Sequence, residues 1–242
     1  MKIHKLSATS STNLYLKKLV LNSKPDNYTI VVTEYQTLGK GQFENKWHSE
    51  KGKNLLFSVL YKFDAFKITR QAYLNFAISL AIYKVLDAYL PKANIKWPND
   101  ILSRQKKIGG ILIENSVKNG RVNHSIIGIG VNVNQIKFPL ELPNATSLKK
   151  VLKKSFNRSK LLEEFVVSIQ KQLALIESKS FEELKFNYEK VLYKNKIPAM
   201  YKDLDGNPFI GKIIGVSNVG KLQIELENET VREFSVKEVS FL

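Results

Sequence analysis

The residues whose types and spacing could do chemistry fall into four short stretches of this 242-residue chain. The first runs from Gly39 to Asn54 and sets Lys40 between Gly39 and Gly41. Paired glycines let a backbone approach a ligand closely and turn its amides towards an anion. It is not a dinucleotide fingerprint, because the third glycine is missing and no helical pattern begins there; Gly128-Ile129-Gly130 fails the same test. The second, Lys96-Trp97-Pro98-Asn99-Asp100, places an aromatic, an amide and a carboxylate around a proline-fixed bend. The third, Lys107 to Glu114, puts a lysine at the mouth of an apolar strand, followed by Gly109 and Gly110 where a ligand can approach. The fourth, Gly128 to Asn134, spaces Asn132 and Asn134 two apart, which on a strand places both amides on one face. Taken singly, each reads as an ordinary turn, core strand or edge strand.

The elements that must position these stretches form a mixed pattern. Met1 to Leu6 reads as a short strand, and Ser10-Ser11-Thr12-Asn13 offers N-cap chemistry for a helix carrying Leu14, Leu16, Leu19 and Val20. Strands are predicted at Ile30 to Val32, Asn54 to Tyr61, Ile95 to Lys96, Lys107 to Glu114 and Val122 to Val133. Between them, Thr69 to Leu90 repeats apolar residues at helical spacing with few charges, a largely buried helix ended by Pro91. Leu161 to Ile176 marks a second amphipathic helix, and Ser180 with Glu183 forms a capping-box pair ahead of a third, reaching about Tyr193. After Lys196 turn signals at Asp205 to Pro208, Asn218 to Gly220 and Glu227 to Glu229 separate short alternating runs. That texture predicts an α+β body over 1–195 and a small all-β barrel over 196–242.

Composition excludes several classes. At 43% hydrophobic and 25% charged residues the chain has ordinary globular composition. No apolar run approaches the ~20 residues of a membrane span, and no signal-peptide core follows the N-terminus. With no cysteine and three scattered histidines, disulfide frameworks and thiolate metal sites are excluded. The expectation is a cytoplasmic protein. The formal charge of +16 attracts acidic partners, but the lysines are spread along the chain. Their clearest run, Lys149-Lys150 with Lys153-Lys154, reads as a solvated face, and no groove-reading helix accompanies it.

Together and in this order the four stretches resemble the biotin–protein ligases. That family's loop reads G-R-G-[R/Q]-x4-W-x-S-x2-G-x-N, and Gly39, Gly41, Gln42, Trp47, Ser49, Gly52 and Asn54 fit it. K-W-P-N-D is complete at 96–100, K-x-G-G-I-L-I-E matches 107–114, and G-I-G-[IV]-N-V-N matches 128–134. Ser11-Thr12-Asn13 and Gln36 stand where the family has S-T-N and a biotin-contacting glutamine. The resemblance is strong from Ser11 to Asn134. It implies a class II synthetase-like mixed sheet with helices, followed by an SH3-like barrel. A lipoate or octanoyl ligase would show R-R-x-G-G-G, which does not occur. Only ten residues precede Ser11, so the resemblance points to the type without the DNA-binding domain.

The implied reaction joins biotin and ATP, with Mg²⁺ on the phosphates, into biotinyl-5'-AMP and passes the acyl group to a lysine of a biotin carboxyl-carrier domain. On that resemblance Ser11, Thr12, Asn13, Gln36, Lys40, Gly41, Gln42, Lys107 and Gly110 bind biotin. Lys40, Gln42, Trp47, Asn99, Lys107 and Asn132 bind ATP and the adenylate. Lys107 is the first candidate for the α-phosphate, with Lys40 second. Asp100 either receives the proton of the attacking amine or simply holds the turn at Asn99. The loop has Lys40 where the family commonly has arginine, Gln42 in place of a frequent second arginine, and Phe43-Glu44 in place of the Arg-Gly often found there. Lys40 gives a point charge in place of a bidentate fork, so fewer cations hold the adenylate. A non-catalytic biotin-binding regulator is the alternative from another class. The retention of Lys107, Trp47 and Lys96 to Asp100 together speaks against it. No specific nucleic acid and no membrane are expected as partners; a homodimer is common among such enzymes.

Overall fold

In the computed structural model, residues 2–43 and 45–242 are described; the charge of Glu44 falls outside them. The larger sheet contains β1 (Ile3–Leu6), β2 (Ile30–Thr33), β3 (Leu55–Lys67), β4 (Ala93–Lys96), β5 (Asp100–Ser103), β6 (Lys106–Lys118) and β7 (Arg121–Val131). Their order across the sheet is β1-β2-β3-β7-β6-β5-β4. Only β1 and β2 run parallel among these described strands; every other neighbouring pair is antiparallel. The expected strands are all present. β5, short and carrying Asp100 and Ser103, was not anticipated, nor was the one-and-a-half-turn helix α3 (Leu148–Leu152).

Strand alternation sends successive side chains to opposite faces. On β3, Leu55, Phe57, Val59 and Tyr61 enter the main core with α2 (Gln71–Asp87), α4 (Arg158–Glu177) and α5 (Phe181–Lys190). A fully buried Leu or Phe contributes roughly 1.5–3 kcal/mol, so this face dominates the stability of the body. On the opposite face Leu60, Val31 and Ile126 make a small separate cluster with Leu16 of α1 (Thr12–Asn22). That sparser face carries Ser58, Gly110, Leu112, Glu114, Gly128 and Gly130. It is there that the sheet leaves room for a ligand.

Helix boundaries depart from the sequence reading for local reasons. α2 begins at Gln71 after a one-turn 3-10 helix at Ile68–Arg70 and ends at Asp87, with tight turns leading to Pro91. The Ser180 capping box does not form: Ser180 is the N-cap of α5, but at φ −74 and ψ 53 its hydroxyl caps nothing. Capping requires extended backbone at that residue, and the Ser180 hydroxyl instead lies 3.0 Å from that of Ser178.

A second, five-stranded antiparallel sheet follows: β8 (Pro198–Asp203), β9 (Pro208–Val216), β10 (Leu222–Leu226), β11 (Val231–Phe234) and β12 (Val239–Phe241), in order β11-β10-β9-β8-β12. Its apolar residues Tyr201, Ile213, Val216, Leu222, Ile224 and Phe234 belong to the same continuous core as α2 and α5. Polar joints add to this. The Trp97 indole donates to Gly220 O at 3.0 Å, and Val216 N donates to Glu189 Oε1 at 2.9 Å. No helix among the described residues is long and apolar enough to cross a membrane.

Candidate active site

The first wall of the site is the N-terminal turn of α1. Ser11, Thr12 and Asn13 are polar yet buried, at 5%, 4% and 5% exposure. Ser11 is the N-cap by backbone geometry, but its side chain caps nothing. Asn13 Nδ2 donates to Glu114 Oε2 at 2.7 Å, while Ser58 Oγ lies 2.6 Å from Asn13 Oδ1 and 2.7 Å from Thr12 Oγ1. Gln36 Oε1 accepts from the Thr12 backbone N–H at 2.8 Å and sits 3.1 Å from the Thr12 hydroxyl. Lys17 completes the outer end, its Nζ 2.5 Å from Glu114 Oε1. A Cβ on Gly128 would stand 2.4 Å from Asn13 Oδ1. Glycine is required there because the amide already occupies that space.

The opposite wall is a folded-back loop. Gly41 N donates to Asn45 O at 2.7 Å and Trp47 N to Gly39 O at 2.9 Å, closing a small hairpin. It lays the Trp47 ring over the glycine floor: a Cβ on Gly130 would stand 2.7 Å from the ring, and one on Gly110 would stand 3.0 Å away. Buried Trp47 Nε1 has no hydrogen-bond partner among the described residues, so this end is held mainly by packing.

Lys107 reaches the same floor through a break in strand period. Opposite β5, Asp100 faces Gly110 and Ile101 faces Gly109, but Leu102 faces Lys107, so Ile108 is an extra residue. Such a bulge re-aims side chains. Ile108 goes into the main core, and the Lys107 ammonium comes 3.5 Å from where a Gly110 Cβ would be. There it pairs with Asp100 Oδ1 at 2.6 Å and lies 5.7 Å from the Trp47 ring centroid. Asn99 donates to Ile111 O at 2.6 Å, pinning the bend to β6. Trp97, two residues before Asn99, is turned away and buried against the second sheet.

These walls enclose a cavity of about 240 Å³ lined by Ser11, Thr12, Asn13, Gln36, Lys40, Gly41, Gln42, Trp47, Asn99, Asp100, Lys107 and Gly110. Asn132 is not on its wall. β7 ends at Val131, so Asn132 and Asn134 do not share a strand face as the period-two spacing predicted. Asn132 is buried with Oδ1 unpartnered among the described residues, and Asn134 instead exchanges hydrogen bonds with the Phe156 backbone. The cavity also takes in Phe43, Asn45, Lys46, Val236 and Lys237, which sequence reasoning did not select. Lys237 comes from the turn between β11 and β12, its Nζ 4.0 Å over the Phe43 ring. No motif surrounds it; only its positive charge in a terminal turn signals it. With Lys40, Lys46 and Lys107, it makes four lysines on the wall, more than the loop alone provides. Burial lowers the pKa of Lys96, on β4 beside this end, and Asp100 opposes the shift.

The model of the biotin/lipoate A/B protein ligase family matches residues 6–132. The chain belongs to that family. Within it, the chain is 30% identical to the bifunctional ligase/repressor BirA of Bacillus spizizenii over 230 residues, 93% of this chain and 70% of that protein. It is 29% identical to the biotin--[acetyl-CoA-carboxylase] ligase of Mycobacterium tuberculosis over 150 residues, 59% of this chain and 53% of that one. The fold is similar to the biotin protein ligase of Aquifex aeolicus solved with biotin and ATP, at a TM-score of 0.80 and 27% identity. That similarity covers 100% of this chain and 98% of the other, so the second sheet is part of the shared ligase fold.

Proposed function

We propose that this protein is an ATP-dependent biotin–protein ligase, forming biotinyl-5'-AMP and transferring the biotinyl group to a lysine of a biotin carboxyl-carrier domain. One observation carries the reading: a single cavity joins a cluster of buried hydroxyls and amides to a set of lysines across a floor of glycines. Biotin has the matching polarity, a neutral ureido ring at one end and a carboxylate at the other. A lipoyl or octanoyl head would leave the hydrogen-bonding groups of Thr12 and Gln36 without partners.

In this reading Ser11, Thr12 and Gln36 hold the ureido ring, with Asn13 behind them, and Leu112 and the glycines of β6 and β7 flank the chain. The carboxylate and the ATP α-phosphate then meet at Lys107 and Lys40. Two anions must be held together there while charge builds on the phosphoryl oxygens, so catalysis rests on position and charge. The carboxylate oxygen bonds to the α-phosphorus and pyrophosphate leaves. Lys107 exchanges Asp100 for these oxygens, and the freed Asp100 faces the proton that the acceptor amine loses as it displaces AMP. Gln42, Gly41, Trp47 and Asn99 border the nucleotide. Mg²⁺ supplies charge neutralisation. Asp100 is the one carboxylate on the cavity wall among the described residues, and it would be the side chain within reach of an ion held on the phosphates.

The second sheet is read as an SH3-like barrel over 196–242, attached to a catalytic body over 1–195, in a cytoplasmic enzyme able to pair as a homodimer. Mass spectrometry of a carrier domain incubated with biotin, MgATP and this protein tests the reading. A mass increase of one biotinyl group on a single lysine supports it, and no increase with active acceptor overturns it.

A further inference from the structure

We propose that Glu114 and Ser58, neither of which lines the cavity, are positioning residues that fix the hydroxyl of Thr12 as an acceptor towards the ligand. The site thereby selects a ring that presents N–H groups. The inference rests on the cavity being the biotin site with its ureido ring at Thr12 and Gln36.

The argument is a count of protons. An ionised carboxylate only accepts hydrogen bonds, so the Asn13 atom 2.7 Å from Glu114 is the amide nitrogen, and the amide oxygen must face Ser58 at 2.6 Å. That oxygen also only accepts, so the single proton of the fully buried Ser58 hydroxyl is committed to it. Ser58 therefore accepts from Thr12, whose hydroxyl lies 2.7 Å away. Thr12 has one proton, and the competing contact to Gln36 Oε1 is longer, at 3.1 Å. Gln36 Oε1 is satisfied by the Thr12 backbone N–H at 2.8 Å. Thr12 is left with lone pairs and Gln36 with the two protons of Nε2, and both residues line the cavity. A cyclic urea, with N–H beside C=O, completes both. The polarity is set on the far side of the network, chiefly by the Glu114 carboxylate at 2.7 Å, with Leu112 O a longer second acceptor for the same Asn13 nitrogen at 3.3 Å.

Replacing Glu114 by Gln leaves one acceptor oxygen for two donors, and with that oxygen turned to the Lys17 ammonium the new amide nitrogen faces Asn13 and donates to it. The Asn13 amide then turns over and the chain reverses: Asn13 donates to Ser58, Ser58 to Thr12, and Thr12 to Gln36. Ser58→Ala interrupts the same chain at its midpoint. The experiment measures equilibrium binding of biotin, and of biotin methylated at either ureido nitrogen, to the full chain and to both variants, alongside biotin-dependent pyrophosphate exchange. The expected result is roughly 10-fold weaker biotin binding, the size of one misdirected buried hydrogen bond, with less discrimination against one methylated isomer. KM for ATP and kcat at saturating biotin stay within about twofold. A merely structural role would move both substrates together and leave the discrimination intact. If the wild type binds biotin and both folded variants keep its affinity and discrimination, the relay is overturned. If the wild type binds no biotin, the site reading falls and the relay with it.

Discussion

The two ends of the cavity are built differently although they share one sheet face. At the α1 end, Thr12, Asn13, Ser58, Gln36 and Glu114 bind one another through short hydrogen bonds, and Gly128 is a glycine because Asn13 fills its side-chain space. At the lysine end, Trp47 rests on Gly110 and Gly130 with its Nε1 unpartnered among the described residues, and Lys107 is held by one partly exposed carboxylate. The first end is held in place by its own bonds before a ligand arrives. The second is bordered by the Trp47 hairpin and the Lys107–Asp100 pair, groups that few bonds hold in place. The difference teaches an order of events. On the proposed function, a small neutral ring would seat first, and the hairpin and the Lys107–Asp100 pair would then rearrange around the nucleotide.

The largest expected effect comes from removing the cation on which both anions converge. Lys107→Ala should lower adenylate formation by ~10²–10³-fold, the loss typical of deleting one transition-state stabiliser. Its cost to the fold should be only ~0–1 kcal/mol, because the Asp100 pair is partly exposed, with side chains 40% and 25% accessible. Pyrophosphate exchange with a thermal melt checks both halves. Adenylate made at near the wild-type rate would remove Lys107 from the mechanism.

A matched pair of substitutions sharpens the contrast next. Gly128→Ala sets a methyl 2.4 Å from Asn13 Oδ1, and Asn13 cannot yield without breaking its bonds to Glu114 and Ser58. Overpacking of this kind costs ~1–3 kcal/mol, and biotin affinity should fall by roughly 30-fold. Gly130→Ala meets the Trp47 ring at 2.7 Å, but that ring is carried by a hairpin that can lift. Biotin affinity should change by less than about threefold, with KM for ATP rising several-fold. Calorimetric titration of each variant decides it; equal loss of biotin from both would mean that the ends are equally rigid.

Smaller in size is the ordering of the hairpin itself. Hydrogen exchange over 39–47 should slow by about 10-fold when biotin and a non-reactive adenylate mimic are bound, since few buried contacts hold this segment. The amides of Thr12 and Asn13 should change little. Identical exchange of 39–47 with and without ligand would describe a site preformed at both ends.

What was legible in the sequence follows the same division. Glycine and lysine at fixed spacing marked Lys40, Lys107 and Gly110, because close approach and charge leave a residue-type signature. Alternation and short apolar runs marked the strands, and helical spacing marked the buried helix α2. It could not show the bulge at Ile108, which reverses the parity of β6 and is the reason Lys107 rather than Ile108 faces the glycine floor. For the same reason the equal spacing of Asn132 and Asn134 misled, since β7 ends at Val131 and period two ceases to apply. Lys237 was hidden because its neighbourhood with Phe43 joins residues 194 positions apart by a fold no local pattern encodes. The Ser180 box failed on backbone angles that residue types alone do not fix.

The smallest effect tests whether charge outside the cavity serves the reaction. The chain carries +16, spread widely enough that much of it lies away from the site. An acceptor with acidic residues round its target lysine, as the family resemblance implies, would be drawn to that surface over a Debye length of ~10 Å at 0.1 M salt and ~3 Å at 1 M. Acceptor kcat/KM should therefore fall about three- to tenfold across that range. Adenylate formation should vary by less than about twofold, since Lys40, Lys107 and Lys237 line the cavity itself and charges closer than a Debye length are less screened. Lys237→Ala should separate the two scales: as a cavity residue it should slow adenylation modestly while leaving the salt slope of transfer unchanged. Random duplex DNA should bind weakly and dissociate by moderate salt. Transfer that ignores salt would make the excess lysine a matter of solubility, and equal salt slopes for both half-reactions would mean the lysine end is open to solvent throughout the cycle.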